Sequence, residues 1–78
     1  MSQIDDLMVD VMMRSDDEAE IAVVQLIRLF EAERLDEKQQ QLVMKAVQRR
    51  IKKVKFDTDI YDLLERLANL IATAENDG

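Results

Sequence analysis

Apolar residues recur along the chain with the period of an α-helix. Four stretches show the i, i+3, i+4 and i+7 spacing that places apolar side chains on one face of a helix. In the first stretch these residues are Ile4, Leu7, Met8, Val11 and Met12. The chain has no Pro and its one Gly is Gly78, so neither residue interrupts the pattern. We therefore predict an all-α fold, a compact bundle of four short helices at about residues 3–13, 16–34, 37–54 and 58–74.

Polar residues suited to helix N-termini precede the first three stretches. Ser15 with Glu18 fits the capping-box pattern, in which each side chain accepts a hydrogen bond from the backbone N–H of the other residue. Asp36 with Gln39 is a weaker version of the same pattern, and Ser2 is a candidate cap for the first helix. These residues predict three separate helix starts.

The fourth stretch has its own start signal. Asp57 is the candidate cap, with Phe56 before it and Tyr61 after it. Phe56 and Tyr61 occupy the positions of a hydrophobic staple, in which two apolar side chains pack together across the start of a helix. We therefore expect Phe56 to be packed against the fourth helix.

The junction between the second and third helices has no strong helix breaker. In one continuous helix, however, the apolar stripes of the two stretches would point about 140° apart. A turn at residues 35–36 removes that conflict, so we predict two helices. The second helix also carries Ile21, Val24 and Leu35 outside its main stripe. This second apolar side predicts a central place in the bundle or a place at a subunit interface.

The length of 78 residues predicts one domain, residues 1–78, with a small core. Disulfides, metals or self-association usually stabilise domains of this size. The chain has no Cys and no His, so disulfides are excluded and a metal would need oxygen ligands. Self-association is the remaining ordinary route, and we expect a twofold homodimer.

The same composition argues against catalysis. General acid–base and nucleophilic catalysis most often use His or Cys, which this chain lacks. Asp57, Asp59 and Asp62 are clustered carboxylates, but they do not follow the calcium-loop spacing, which requires Gly where Asp62 stands. We expect no enzymatic activity, no cofactor, no metal site and no small-molecule substrate.

The chain also lacks the signals of a membrane or secreted protein. No apolar run reaches the roughly 18 residues of a membrane span. The first residues are acidic rather than basic, unlike a signal peptide, and the absence of Cys fits a reducing compartment. We therefore expect a cytoplasmic protein that does not contact membranes.

Charge is strongly segregated along the chain. Residues 38–55 hold seven Lys and Arg and no acid, whereas residues 1–37 hold eleven acids against three bases. Residues 56–78 hold six acids against one base, and the net charge is −6. At helical spacing the bases share one face of the third helix, with the last two at its margin: Lys38, Lys45, Arg49, Lys52, Lys53 and Lys55. An otherwise acidic molecule thus has one basic face.

Three interpretations of the basic face remain open: a solvated or internally paired face, a contact for an acidic protein, and a contact for nucleic acid. In the last two, the contacts come from Lys45, Arg49, Lys52 and Lys53. Neutralising phosphates with these bases would support nucleic-acid binding. The stretch has no aromatic residue for base stacking, which argues against it.

Two further features bear on contacts. Met8 and Met12 give the first helix a flexible apolar surface, suited either to filling the core or to docking a partner. Arg50 lies near the apolar side of the third helix, away from most of the other bases, and we expect it to form a structural ion pair with a carboxylate of a neighbouring helix or subunit.

These observations favour a non-catalytic protein-interaction module, acting as an adaptor, inhibitor or regulator. Its predicted contact residues are Lys45, Arg49, Lys52, Lys53, Met8 and Met12. The alternative is a small nucleic-acid-binding regulator that uses the basic face of the third helix. Salt dependence distinguishes the two classes.

Overall fold

Four α-helices make up most of the chain in a computed structural model, which describes residues 3–76 and their side chains as far as residue 74. They are α1 (Gln3–Met13), α2 (Asp16–Glu31), α3 (Glu37–Ile51) and α4 (Asp59–Asn76). No strand occurs within residues 3–76. The predicted all-α fold of four helices is therefore confirmed, while the proposed cap at Ser2 lies outside the described residues.

Around the bundle the helices follow one another in the order α1, α2, α4, α3, and α3 is again next to α1. α1 packs against α2 and α3, and α4 packs against the same two helices from the other side. Two pairs of helices that are consecutive in the sequence, α1–α2 and α3–α4, are therefore neighbours. α2 and α3 lie diagonally opposite each other, so the loop between them crosses the end of the bundle. The radius of gyration of 11.4 Å agrees with the value of about 11.5 Å expected for a compact chain of this length.

The core is formed where the apolar stripes of all four helices meet. Its largest fully buried side chains are Val11, Val23, Leu26, Val43, Val47, Leu64, Leu67 and Ile71. No polar or charged residue is buried among the described side chains. Removing this much apolar surface from water is the main favourable contribution to folding.

α2 ends three residues before its predicted end. Glu33 has a positive φ of 58°, the left-handed conformation that stops a helix. Its N–H donates to the Phe30 carbonyl and the Arg34 N–H donates to the Leu29 carbonyl, which is the Schellman pattern. The expectation that Leu35 belongs to a stripe of α2 was wrong, because Leu35 lies in the loop, where it is buried.

The capping boxes differ in strength from the prediction. At α3, Gln39 N–H donates to Asp36 Oδ1 over 2.8 Å, and Asp36 N–H donates to Gln39 Oε1 over 3.0 Å. At α2, the Glu18 N–H lies 3.5 Å from Ser15 Oγ, the limit of a hydrogen bond. The box predicted to be weaker is therefore the complete one, and it separates α3 from α2.

The predicted cap of α4, Asp57, was wrong. The helix begins at Asp59, and Thr58 occupies the capping position. The Thr58 hydroxyl donates to the Lys55 carbonyl over 2.6 Å and accepts from the Tyr61 N–H over 3.4 Å. Phe56 is 79% exposed, so it does not pack as a hydrophobic staple. A turn closed by the Thr58 N–H and the Lys55 carbonyl instead leaves Phe56 facing solvent.

Candidate functional site

A groove runs between α1 and α3. Its volume is about 330 Å³. Five apolar residues and three charged residues line it: Met8, Val9, Met12, Leu42 and Ala46, with Asp5, Lys45 and Arg49. The groove exists because α1 and α3 are neighbours in the bundle although 23 residues separate Met13 from Glu37.

The groove exposes apolar surface to solvent. Met8 and Ala46 are buried at 9% and 3% exposure and belong to the core, so they form a fixed floor. Val9 and Leu42 are 50% and 42% exposed and stand on the two sides. Large apolar side chains that remain exposed together in a concave site are typical of binding surfaces rather than of a solvated helix face.

The charges at the groove are predominantly basic. Lys45 and Arg49 are exposed and lie one turn apart on α3. Asp5 lies on the α1 side and is engaged in an interaction of its own. Two cations thus stand beside the apolar floor, where a ligand would meet both kinds of surface.

Most of the basic stretch is unpaired among the side chains that the structure describes. Of the seven Lys and Arg residues in residues 38–55, one, Arg50, forms an ion pair among the described side chains. The six others are all exposed. Within residues 3–74 the basic face is therefore solvated rather than paired with acids of neighbouring helices.

Four of the six predicted contact residues meet at the groove. Met8, Met12, Lys45 and Arg49 all line it. Lys52 and Lys53 are exposed in the segment after α3 and do not line the groove. The structure adds two residues that the sequence analysis missed, Val9 and Leu42. Both are large apolar residues placed off the main stripe of an amphipathic helix, and that displacement was the available signal.

Arg50 connects α3 to the corner between α1 and α2. Its Nη1 donates to the Arg14 carbonyl over 2.7 Å and lies 3.5 Å from the Met12 carbonyl. Its Nη2 lies 2.6 Å from Asp16 Oδ1. The Arg50 side chain is 11% exposed, whereas that of Asp16 is 64% exposed. One mostly buried guanidinium therefore contacts two backbone carbonyls and one solvated carboxylate.

This contact holds one side of the groove. The Met12 carbonyl is among the last four of α1, which have no partner within their own helix. Met12 also lines the groove. Arg50 thus fixes the end of α1 against α3, at the cost of a buried Nε without a hydrogen-bond partner in the described structure. We regard Arg50 as a positioning residue, because it does not line the groove.

Other chemistry is not apparent in the described residues. They contain no group of three or more carboxylates arranged to hold a metal ion. None of their helices combines the length and apolar character needed to cross a membrane. Comparison of the chain with protein-family models, curated proteins and solved structures gives no match.

Removing the Arg50 contact should destabilise the bundle. We expect Arg50→Met to lower the free energy of unfolding by about 2 kcal/mol, because it removes charge-assisted hydrogen bonds to two carbonyls. Asp16→Asn should lower it by only about 0.5–1 kcal/mol, because the Asp16 carboxylate is largely solvated. Urea unfolding of both variants measures these changes.

Arg49→Met is the matched control for this experiment, since it makes the same substitution at an exposed neighbour that forms no ion pair among the described side chains. It should change the free energy of unfolding by less than about 0.5 kcal/mol. If Arg50→Met changes stability no more than Arg49→Met does, the corner contact contributes nothing to folding.

Proposed function

We propose that the chain is a non-catalytic protein-interaction module whose α1–α3 groove binds an acidic, amphipathic helix of a protein partner. One observation carries this proposal: an apolar groove stands open beside two exposed cations, Lys45 and Arg49. An acidic partner helix complements both surfaces, with apolar residues on the floor and carboxylates at the basic side.

The shape of the groove supports a helical ligand. Helix-in-groove recognition places apolar residues at i, i+3, i+4 and i+7 against a hydrophobic floor. Here the floor is bounded by α1 and α3, so an incoming helix would complete a three-helix contact of the kind found inside bundles. Met8 and Met12 add thioether side chains, which adapt to ligands of irregular shape.

The charges support an acidic ligand. Lys45 and Arg49 are four residues apart on α3, which corresponds to about 6 Å along a helix axis. Two carboxylates four residues apart on a partner helix have the same spacing. Charge pairs at the edge of an interface contribute mainly to specificity and to the rate of association, so the affinity would come from the apolar floor.

The residues at the groove also support a non-catalytic role. They offer alkyl, thioether, carboxylate, ammonium and guanidinium groups. The chain has neither His nor Cys for proton transfer or nucleophilic attack near neutral pH. Within this proposal the module acts by occupying a partner surface, as an adaptor, inhibitor or regulator does, and needs no cofactor or small-molecule substrate.

A displayed library of helical peptides tests this function. Peptides selected on the wild-type protein should carry Asp or Glu pairs beside apolar residues at helical spacing. Their affinity should fall by about tenfold or more for the double variant Lys45→Glu, Arg49→Glu, because like charges then face each other. Binding of a selected peptide is measured by fluorescence anisotropy.

The double variant Lys52→Glu, Lys53→Glu is the matched control, since it reverses two bases that do not line the groove. It should bind the selected peptides nearly as tightly as the wild type. Peptides that lack acidic residues, or that bind both double variants and the wild type equally, would count against the groove as the binding site.

A second candidate function, nucleic-acid binding, gains one observation from the structure. The basic stretch, residues 38–55, has no aromatic residue for stacking on nucleobases. Phe56, however, directly follows that stretch and is 79% exposed. Exposed aromatic side chains beside Lys and Arg side chains that form no ion pairs are typical of proteins that bind single-stranded nucleic acid, through stacking and phosphate contacts. This candidate ranks second because the molecule as a whole is acidic.

Binding to a fluorescent single-stranded RNA and a mixed-sequence DNA duplex tests the second candidate. If four Lys and Arg side chains each contact a phosphate, the affinity for the single-stranded RNA should fall about fiftyfold between about 50 and about 200 mM salt. Phe56→Ser and reversal of Lys45, Arg49, Lys52 and Lys53 to Glu should each weaken binding. If the protein does not bind at the lower salt concentration, or if both variants bind with the affinity of the wild type, nucleic acid is not a ligand of this surface.

A further inference from the structure

The outward side of α2 carries an acidic and apolar surface of its own. Ile21 is 60% exposed and Val24 is half-buried. Both border a shallow depression between side chains of α2, which Arg28 also lines. Asp17 and Glu20 line the same depression, one turn before these apolar residues. We call Asp17, Glu20, Ile21 and Val24 the α2 ridge. It leaves apolar side chains in contact with water next to two carboxylates.

The α2 ridge combines apolar and acidic residues, as the ligand proposed for the groove does. The groove presents Val9 and Leu42 beside Lys45 and Arg49, whereas the ridge presents Ile21 and Val24 beside Asp17 and Glu20. Val9, Leu42 and Ile21 are exposed, and Val24 is half-buried. The charges are predominantly basic at the groove, where Asp5 accompanies Lys45 and Arg49, and predominantly acidic at the ridge, where Arg28 accompanies Asp17 and Glu20. In both patches the charged residues are spaced about one helical turn apart.

The ridge cannot reach the groove of its own chain. α2 packs against α1 and α4, and its buried residues face the core. The groove lies between α1 and α3, and α3 is the helix diagonally across the bundle from α2. The complementarity is therefore available only between two molecules.

We propose that the α1–α3 groove binds the α2 ridge of a second copy of this chain. The inference rests on the proposed function, because it names one occupant of the same groove. Each copy supplies one groove and one ridge, so a twofold arrangement in which both are exchanged forms a closed dimer. Burying the exposed apolar side chains of both patches adds to the small core that a chain of 78 residues builds alone.

Charge reversal with rescue tests this pairing. The first variant, Lys45→Glu with Arg49→Glu, makes the groove acidic. The second, Asp17→Lys with Glu20→Lys, makes the ridge basic. Alone, each variant places like charges at every contact, so sedimentation equilibrium should show monomers. Mixed in equal amounts, the two variants restore opposite charges at both contacts, so the mixture should associate like the wild type.

The matched control reverses two acids at the same spacing on α4, Asp62→Lys with Glu65→Lys. This variant should self-associate like the wild type and should not rescue the groove variant. Ile21→Ser is a second way to disrupt the ridge without reversing charge at the start of α2. It replaces a largely exposed side chain and should weaken self-association by about tenfold. Circular dichroism establishes that each variant is folded.

The outcomes separate this inference from the proposed function. Rescue in the mixture, together with loss of association in Ile21→Ser, supports the pairing of groove and ridge. A wild type that stays monomeric up to about 1 mM, or variants that still associate alone, overturns it. If the wild type is monomeric but selected acidic peptides still require Lys45 and Arg49, the inference fails and the function stands. If those peptides are also indifferent to Lys45 and Arg49, both fail.

Discussion

The corner between α1 and α2 presents backbone carbonyls that no further helical turn can satisfy, and Arg50 of α3 supplies their hydrogen-bond donors. α1 has only 11 residues, a length at which an isolated helix is marginal in water. Its place therefore depends on tertiary contacts, namely its apolar stripe and the Arg50 contact at its end. Because α1 forms one side of the groove, the same contact contributes to holding that side in place.

The segregated charge of the sequence has a structural consequence. The structure pairs Arg50 with Asp16 and leaves the other six bases of residues 38–55 exposed and without ion pairs among the described side chains. Exposed ion pairs contribute little to stability, so an unpaired basic face costs the fold little. It remains available to an acidic ligand, and the apolar floor beside Lys45 and Arg49 gives such a ligand a place to bury surface.

Helical periodicity was sufficient to predict the four helices, and α2 and α3 begin where the sequence indicates. Their ends were harder to predict, because α2 ends at Glu31 and is closed by Glu33, which has the left-handed conformation that Gly usually adopts. Phe56 was misplaced because the staple pattern assumes a helix start at Asp57, whereas Thr58 is the cap. The groove could be predicted only in part, since pairing Met8 and Met12 with Lys45 and Arg49 depends on the adjacency of α1 and α3.

We infer that Arg50 holds α1 against α3, so that the groove is formed before a ligand binds. Because the chain has no Cys, spin labels can be attached at Asp6→Cys on α1 and Gln41→Cys on α3, both exposed positions. Pulsed electron paramagnetic resonance then measures the distance between the labels, with a Gln41→Cys, Glu65→Cys pair as the α3–α4 reference. We expect Arg50→Met to broaden the α1–α3 distance distribution and to leave the reference unchanged, whereas Arg49→Met should affect neither. If the α1–α3 distribution stays equally narrow in Arg50→Met, Arg50 does not hold α1 against α3.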